Sequence, residues 1–459
     1  MKDKREEQEI FQSLESKIKK EATNVLGRIF LFLIYYIGLI ALGIFLFWGA
    51  FVVTLWVFTS ALPTVPNLKA LILIIIMVAG LWGLAGMIGI YLIKPLFSFS
   101  KYTNRNRIEI KEEDAPELFE MIRDVARKTE CQFPKHVYLS TDVNACVFYN
   151  TTFWSIFFPV RKNLEIGLGL FHSTNVDEVK SVIAHEFGHF SQKSMKVGST
   201  VYVTNQVLYN LIYTEDAYEH WMDEWCMSDT SLWAFFGSLT RFITNQIKRL
   251  TVFMYKFVQR RYLRLSRLME YEADAIACQT VGSKAFISGM YKIEYMSERN
   301  DLYEQFLQEL YNGQKSIENY WAGYSTAEKC LSEYDNVHVN VNEVLSETVT
   351  INRVYPSKVD VKNMWASHPS LEERIGQAAQ LGIVSNDFNS KPAWVLIPDV
   401  LKDRMSAHKL NLMEESLEKN VTLEKLSDET FKQWISNEIE AHFIPTQFKP
   451  FFRFIRHFE

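Results

Sequence analysis

Two histidines four residues apart, with a glutamate beside the first, stand in the apolar stretch that begins at Ser181: His185, Glu186, Phe187, Gly188, His189. On a helix, positions four apart share one face. Neutral imidazoles ligate zinc well, and the neighbouring carboxylate can take a proton from a water held by the metal. The chemistry implied is metal-assisted hydrolysis of a peptide bond. A helix is expected to carry these groups, because Asn175 and Glu178 form a capping signature and Val176, Val179, Val182, Ile183 and Phe187 follow at helical spacing. Gly188 would cost about 1 kcal/mol relative to alanine inside that helix, so it predicts the close approach of another backbone.

Two imidazoles and a water leave tetrahedral zinc one protein ligand short. Gln192 and Met195 remove the three-histidine pattern H-E-x-x-H-x-x-G-x-x-H, and Val207 to Leu211 carry no carboxylate. Much further on, Glu270 and Asp274 lie one helical turn apart, and Ala273, Ala275 and Ala277 would permit close packing. Glu270 is the expected third ligand.

The sequence H-E-F-G-H, followed by E-Y-E-A-D at 270–274, resembles the membrane-associated zinc metallopeptidases that include HtpX-like proteases and the type I CAAX prenyl proteases. Ser367-His368-Pro369-Ser370 and the following residues to Arg374 and Ile375 are similar to that family's H-P-x-x-x-x-R-I segment. The likeness runs from about Lys111 to Ala379. It implies one Zn²⁺ per chain held by His185, His189 and Glu270, with Glu186 as the catalytic base and Asp274 orienting a ligand. It implies that His368 donates to the developing oxyanion, against which stands the reading of a helix-capping or buried histidine. It also implies that Asn144 and Ala145 belong to an edge strand that binds substrate. The fold implied is mainly α with a small β-sheet, an α+β gluzincin-type catalytic domain.

The elements that must position these groups begin with a membrane anchor. From Ile29 to Leu68 there is no charged residue, nor from Ala70 to Ile93, and Pro63 to Asn67 make a turn between them. A span needs about 20 apolar residues, so both stretches qualify and form a transmembrane helical hairpin. Gly80, Gly83, Gly86 and Gly89 would let a partner approach the second helix closely, and the first helix is the expected partner. Lys17, Lys19, Lys20 and Arg28 precede the hairpin and Lys94, Lys101, Arg105 and Arg107 follow it, against Lys69 alone in the turn, so both ends are expected in the cytosol. Before the hairpin, residues 1–24 read as an amphipathic helix. Its catalytic domain is expected over 101–382, after a hairpin at 25–97, with an accessory helical domain at 383–459.

Within the catalytic domain, Glu109 to Lys128 reads as a helix introduced by Asp114-Ala115-Pro116, and short β-like runs follow at 136–139, 145–149 and 164–168. An aromatic run from Thr151 to Arg161 either lengthens the cleft wall, meets the membrane or packs in the core. Residues 232–258 carry a long apolar stripe interrupted by Arg241, Lys248, Arg249 and Lys256, which suits helices that pack on the catalytic core or lie at the interface rather than span it.

The chain has 459 residues, enough for two or three domains, and a net charge of −5 with both signs interspersed, which speaks against nucleic acid as a partner. Five cysteines without C-x-x-C pairing fit a reducing compartment, and Cys146 and Cys278 read as small buried residues. Together these features describe an integral membrane endopeptidase, by resemblance of the bacterial inner membrane, with a cytoplasmic catalytic domain, protein or peptide substrates and the lipid bilayer as partners. Quality control of membrane or misfolded proteins is the expected task. The alternatives are a CAAX-type prenyl-protein protease and a non-catalytic membrane scaffold with structural zinc.

Overall fold

The computed structural model describes residues 4–97, 99–100, 105–148, 151–152, 162–189, 217–335, 369–385, 388–417 and 423–442. The aromatic run at 153–161, the segments 197–213 and 337–355, the C-terminal tail and His368 lie outside the described residues.

Helix α1 (Lys4–Trp56) joins the charged N-terminal segment to the first apolar stretch without a break. A π-helical turn, Val57–Ala61, and a 3₁₀ turn, Leu62–Thr64, end this helix, and α2 (Leu68–Phe97) packs back against α1. Both helices are long and apolar enough to cross a membrane, and only 28% and 22% of their most apolar stretches are buried. The core helix of a soluble protein would be mostly covered. Here Phe30, Ile37, Ile44, Phe45, Trp48 and Phe51 turn outward from α1, an apolar surface far larger than isolated exposed side chains would make.

Past α2 come β1 (Phe99–Ser100), β2 (Ile108–Ile110), α3 (Pro116–Lys128), β3 (Val137–Ser140), β4 (Ala145–Phe148), β5 (Thr151–Thr152), β6 (Asn163–Gly167), α4 (Leu168–Ser173) and α5 (Val176–Gly188). The helix expected over 109–128 is shorter than its pattern suggested. Glu109 pairs with Tyr138 as part of a strand, and the helix begins at Pro116, whose fixed φ and missing N–H suit the first helical position. Four strands form a sheet in the order β2-β3-β6-β4; the β3–β6 pair is parallel and the other two are antiparallel. Strand β4 is therefore the outer strand on the side of the zinc-type motif.

Then follow α6 (Ala217–Cys226), α7 (Ser231–Val281), α8 (Ser283–Asn312), β7 (Lys315–Ser316), α9 (Tyr320–Asp335), α10 (Leu371–Leu381), α11 (Asp399–Glu415), β8 (Glu424–Lys425) and α12 (Asp428–His442). Helix α7 runs unbroken for 51 residues and stops at Gly282, whose φ of 93° a residue with a Cβ would adopt only under strain. Its first half packs on the hairpin rather than on the catalytic core: Ile247 joins Leu39, Leu84 and Ile88, and the Tyr35 hydroxyl lies 3.0 Å from that of Thr251. Arg241 pairs with Asp223 of α6, and Lys248 stands 3.8 Å from Glu219. The cations that spoil this half as a simple span are thus partly matched within the α6–α7 pair.

The glycine stripe of α2 serves more partners than one. Gly89 admits Phe47 of α1, as close packing of the hairpin requires, but Gly83 admits Trp225 of α6 and Gly80 admits Phe236 of α7. The catalytic core gathers α3, the sheet, α5, the end of α7, α8 and α9 into one apolar cluster, to which α11 and α12 contribute Leu401, Met405, Phe431 and Ile435.

Candidate metal centre

The helix that carries the histidines is held at both ends. Asn175 Oδ1 accepts the Glu178 N–H at 2.9 Å while Glu178 Oε2 accepts the Asn175 N–H at 2.8 Å, which closes the expected capping box. Glu178 is fully buried and also accepts hydrogen bonds from Ser288 Oγ at 2.6 Å and Lys292 Nζ at 2.8 Å on α8. At the far end, a Cβ on Gly188 would stand 2.9 Å from Ala273 Cα. The missing side chain is what lets α5 cross α7 at backbone contact, and that crossing brings His185 and His189 to Glu270.

His185 Nε2 lies 3.5 Å from Glu270 Oε2, His189 Nε2 lies 3.4 Å from Glu270 Oε1, and the two Nε2 atoms are 3.1 Å apart. In a tetrahedral zinc site with bonds of about 2.0–2.1 Å, neighbouring ligand atoms are roughly 3.3–3.4 Å apart. The three side chains already sit at that spacing, and two imidazoles with one carboxylate are donors that suit zinc. Among the described residues they are the one group of this kind.

Around them lies a second set of contacts. His185 Nδ1 is 2.8 Å from Asp274 Oδ1, so its other nitrogen is turned toward Glu270 and His189. Asp274 in turn is gripped by Arg374, whose Nε donates to Oδ2 at 2.9 Å and whose Nη2 donates to Oδ1 at 2.6 Å. Arg374 comes from the first turn of α10, which opens with its own capping box between Ser370 and Glu373. Its Nη2 also stands 3.9 Å from Glu270 Oε2, so one guanidinium borders both carboxylates.

Glu186 sits on the sheet side of the histidines, where its Oε2 accepts the Val147 N–H at 3.3 Å. Burial raises the Glu186 carboxyl above the usual range, with the charge of His185 opposing it. Burial disfavours charge on His185 too, but hydrogen bonds to Asp274 and Glu270 outweigh it and lift the metal-free imidazole to about 9. His189, with burial and the neighbouring His185 both acting against charge, falls to about 4. The two imidazoles are thus pushed in opposite directions, and a divalent cation would compete with the proton on His185. Asp274 is held down despite its burial by Arg374 and His185.

The structure brings His185, Glu186, His189, Glu270 and Asp274 together, as the spacing of the motifs anticipates. Asn144 and Ala145 lie at the start of β4: Asn144 Oδ1 accepts the Ala145 N–H at 2.8 Å, and the Asn144 carbonyl accepts the Gly167 N–H at 2.7 Å. Alternate residues of β4 therefore face β6, while the Val147 N–H points off the sheet toward Glu186. Val147 was not singled out by its residue type, since only its backbone matters. Arg374 had been visible as part of the third motif, but nothing local links it to a carboxylate 100 residues earlier. Cys146, beside Glu186 on β4, has its thiol pushed up to about 12 by burial and by the charges of Glu165 and Glu186, which leaves it un-ionised and inert as a nucleophile. The sequence profile of Peptidase family M48 matches residues 112–381, more than half of the chain. No solved structure matches the chain.

Proposed function

Since the chain belongs to Peptidase family M48, the family of HtpX-like and CAAX prenyl protease zinc metallopeptidases, we propose that it is a membrane-anchored zinc endopeptidase with one zinc per chain. His185, His189 and Glu270 would hold the metal; the observation that carries this is the convergence of the two Nε2 atoms and the Glu270 carboxylate, each imidazole within 3.5 Å of one of its oxygens, beside Glu186. When bound, zinc supplies Lewis-acid polarisation of a water and of the scissile carbonyl. Glu186 takes the proton of the attacking water on its carboxylate and returns it to the leaving amine; its raised affinity for a proton suits a group that must both accept and donate. Asp274 holds the ring of His185 through Nδ1, and Arg374 holds Asp274. The outer edge of β4 receives the substrate as an added strand, starting at Asn144 and Ala145 and continuing past Val147, with the substrate taking over the Ala145 and Val147 N–H groups from Asn144 Oδ1 and Glu186 Oε2. In this reading His368 donates to the oxyanion.

The hairpin of α1 and α2 is the anchor. The excess of Lys and Arg at its two outer ends supports a cytoplasmic catalytic domain, and the resemblance to HtpX-like proteases supports the bacterial inner membrane. For the task we favour quality control of membrane or misfolded proteins over prenyl-protein processing. An enclosing chamber would need many spans, whereas two helices among the described residues are long and apolar enough. Structural zinc is disfavoured because such sites are commonly closed by four protein ligands, and here three converge beside a general base.

The test is cleavage of an unfolded protein by the detergent-purified chain and by Glu186→Gln. Loss of about 10³-fold in turnover with the fold intact is expected. Turnover near that of the unchanged chain, with contaminating peptidases excluded, would sink the mechanism.

A further inference from the structure

The helix that carries Glu270 also packs along the helix that holds the first apolar stretch, so the candidate metal centre and the anchor are connected along one rigid element. Helices α1 and α7 run antiparallel as a two-helix stalk. Ile18, Val25, Ile29 and Tyr36 of α1 pack on Val258 and Leu265 of α7, and the seam continues to Leu14 and Met269. Arg28 lies 4.1 Å over the ring of Phe257, and Arg261 stands 3.4 Å from Glu21, which fixes the register of the pair.

The same contacts mark a limit for the hydrocarbon. Arg28 is the last charge of α1 before the uncharged stretch from Ile29 to Leu68, and α7 brings Arg261, paired with Glu21 of α1, and its neighbours Arg260 and Arg264 to the same part of the stalk. Four guanidinium groups, with Glu21 among them, will not enter the bilayer interior, so the apolar zone ends at the level of Arg28 and Phe257 or farther from the site. From Phe257 to Glu270 the helix advances thirteen residues without a break, or about 20 Å at 1.5 Å per residue. Lining the stalk on its other side, α1 keeps the same direction as its apolar part, because it is one continuous helix.

We propose that the α1–α7 stalk sets a minimum cutting distance: in a membrane-anchored substrate, and with the stalk along the membrane normal, the bonds cleaved lie about 20 Å from the bilayer, which an extended chain of 3.3–3.6 Å per residue reaches in roughly six residues. The substrate class is therefore membrane proteins with unfolded tails or loops longer than that, while bonds next to a span are spared. This rests on the membrane-anchored peptidase reading above.

The test uses the full chain in vesicles together with a synthetic single-span helix of leucine and alanine, whose tail is built from identical short repeats that the enzyme cuts when they are free in solution. Each repeat contains a lysine, so that trypsin reports how near the bilayer an untethered enzyme can cut. Mass spectrometry of the products locates the first cut. The expected result is a first cut six or more residues from the span and farther out than trypsin's, with the free repeat peptide cut normally. A first cut in the nearest residues, or at the same position as trypsin's, would overturn the stalk's role while leaving the peptidase reading intact. Failure to cut the free repeat peptide, which must be established before the tail is built, would overturn the peptidase reading itself.

Discussion

Helix α5 carries a buried cluster of ionisable groups at each end, made from similar parts and finished differently. At its N-terminal end Glu178 receives the Asn175 N–H, the Ser288 hydroxyl and the Lys292 ammonium, so each oxygen meets a donor and the opposite charge is in contact. At its C-terminal end the imidazole nitrogens of His185 and His189 and the oxygens of Glu270 crowd toward one another at 3.1–3.5 Å. The first cluster is complete within the protein and fixes the angle of the helix. In the second, two imidazoles and a carboxylate converge on one point beside Arg374, a set of groups that could hold a cation. A buried ionic cluster is therefore a candidate site when its members leave the balance to something from outside, and a structural device when they do not.

The contrast can be broken most severely at the closed end. Lys292→Met leaves Glu178 buried without its cation, which should cost about 3–5 kcal/mol of stability, while turnover per folded molecule changes little; unfolding and activity measured on one preparation check both halves. Unchanged stability would mean that the two clusters are not different in kind. If His368, which lies outside the described residues, donates to the oxyanion, His368→Ala should lower kcat by about 10² to 10³ with KM and zinc content nearly unchanged, because such a contact exists mainly in the transition state. A lower melting temperature with normal turnover would instead assign His368 to capping or packing. Arg374→Lys, which keeps the charge but loses the two-pronged grip on Asp274, should cost about 10- to 100-fold in activity or zinc affinity; full activity would show that Asp274 orients His185 without help. The smallest effect is expected at Cys146→Ala, where less than about a twofold change in turnover follows from an un-ionised thiol, and alkylating reagents that leave the fold intact should be as harmless.

Much of this site was legible because its signals are local. The spacing of His185 and His189, the capping pair Asn175 and Glu178, and the anomalous Gly188 all concern residues within one helix: the capping pair closes its N-terminal end, and Gly188 and the histidines lie at its crossing with α7. Glu270 and Asp274 were reachable by the same rule of one helical turn. What escaped depends on contacts between distant elements. Arg374 meets Asp274 only because α10 packs beside α7, Val147 contributes a backbone N–H that no side-chain pattern can announce, and Gly80 and Gly83 admit aromatic rings from helices that come more than 100 residues later. Glu109 was misplaced for a different reason. Its segment has a helical apolar pattern from Leu118 onward, but β3 captures the preceding residues by backbone pairing, which amphipathic periodicity does not register.

The central claim is that Glu270 closes the metal site and Glu186 works beside it without holding the metal. The most direct test is the zinc content of the purified full chain after mild chelation, compared with that of Glu186→Gln and Glu270→Ala. The expected result is one equivalent in the first two and a pronounced loss in Glu270→Ala. Zinc retained by Glu270→Ala at the level of the unchanged chain would show that the third ligand is another residue, and the site would have to be rebuilt around it.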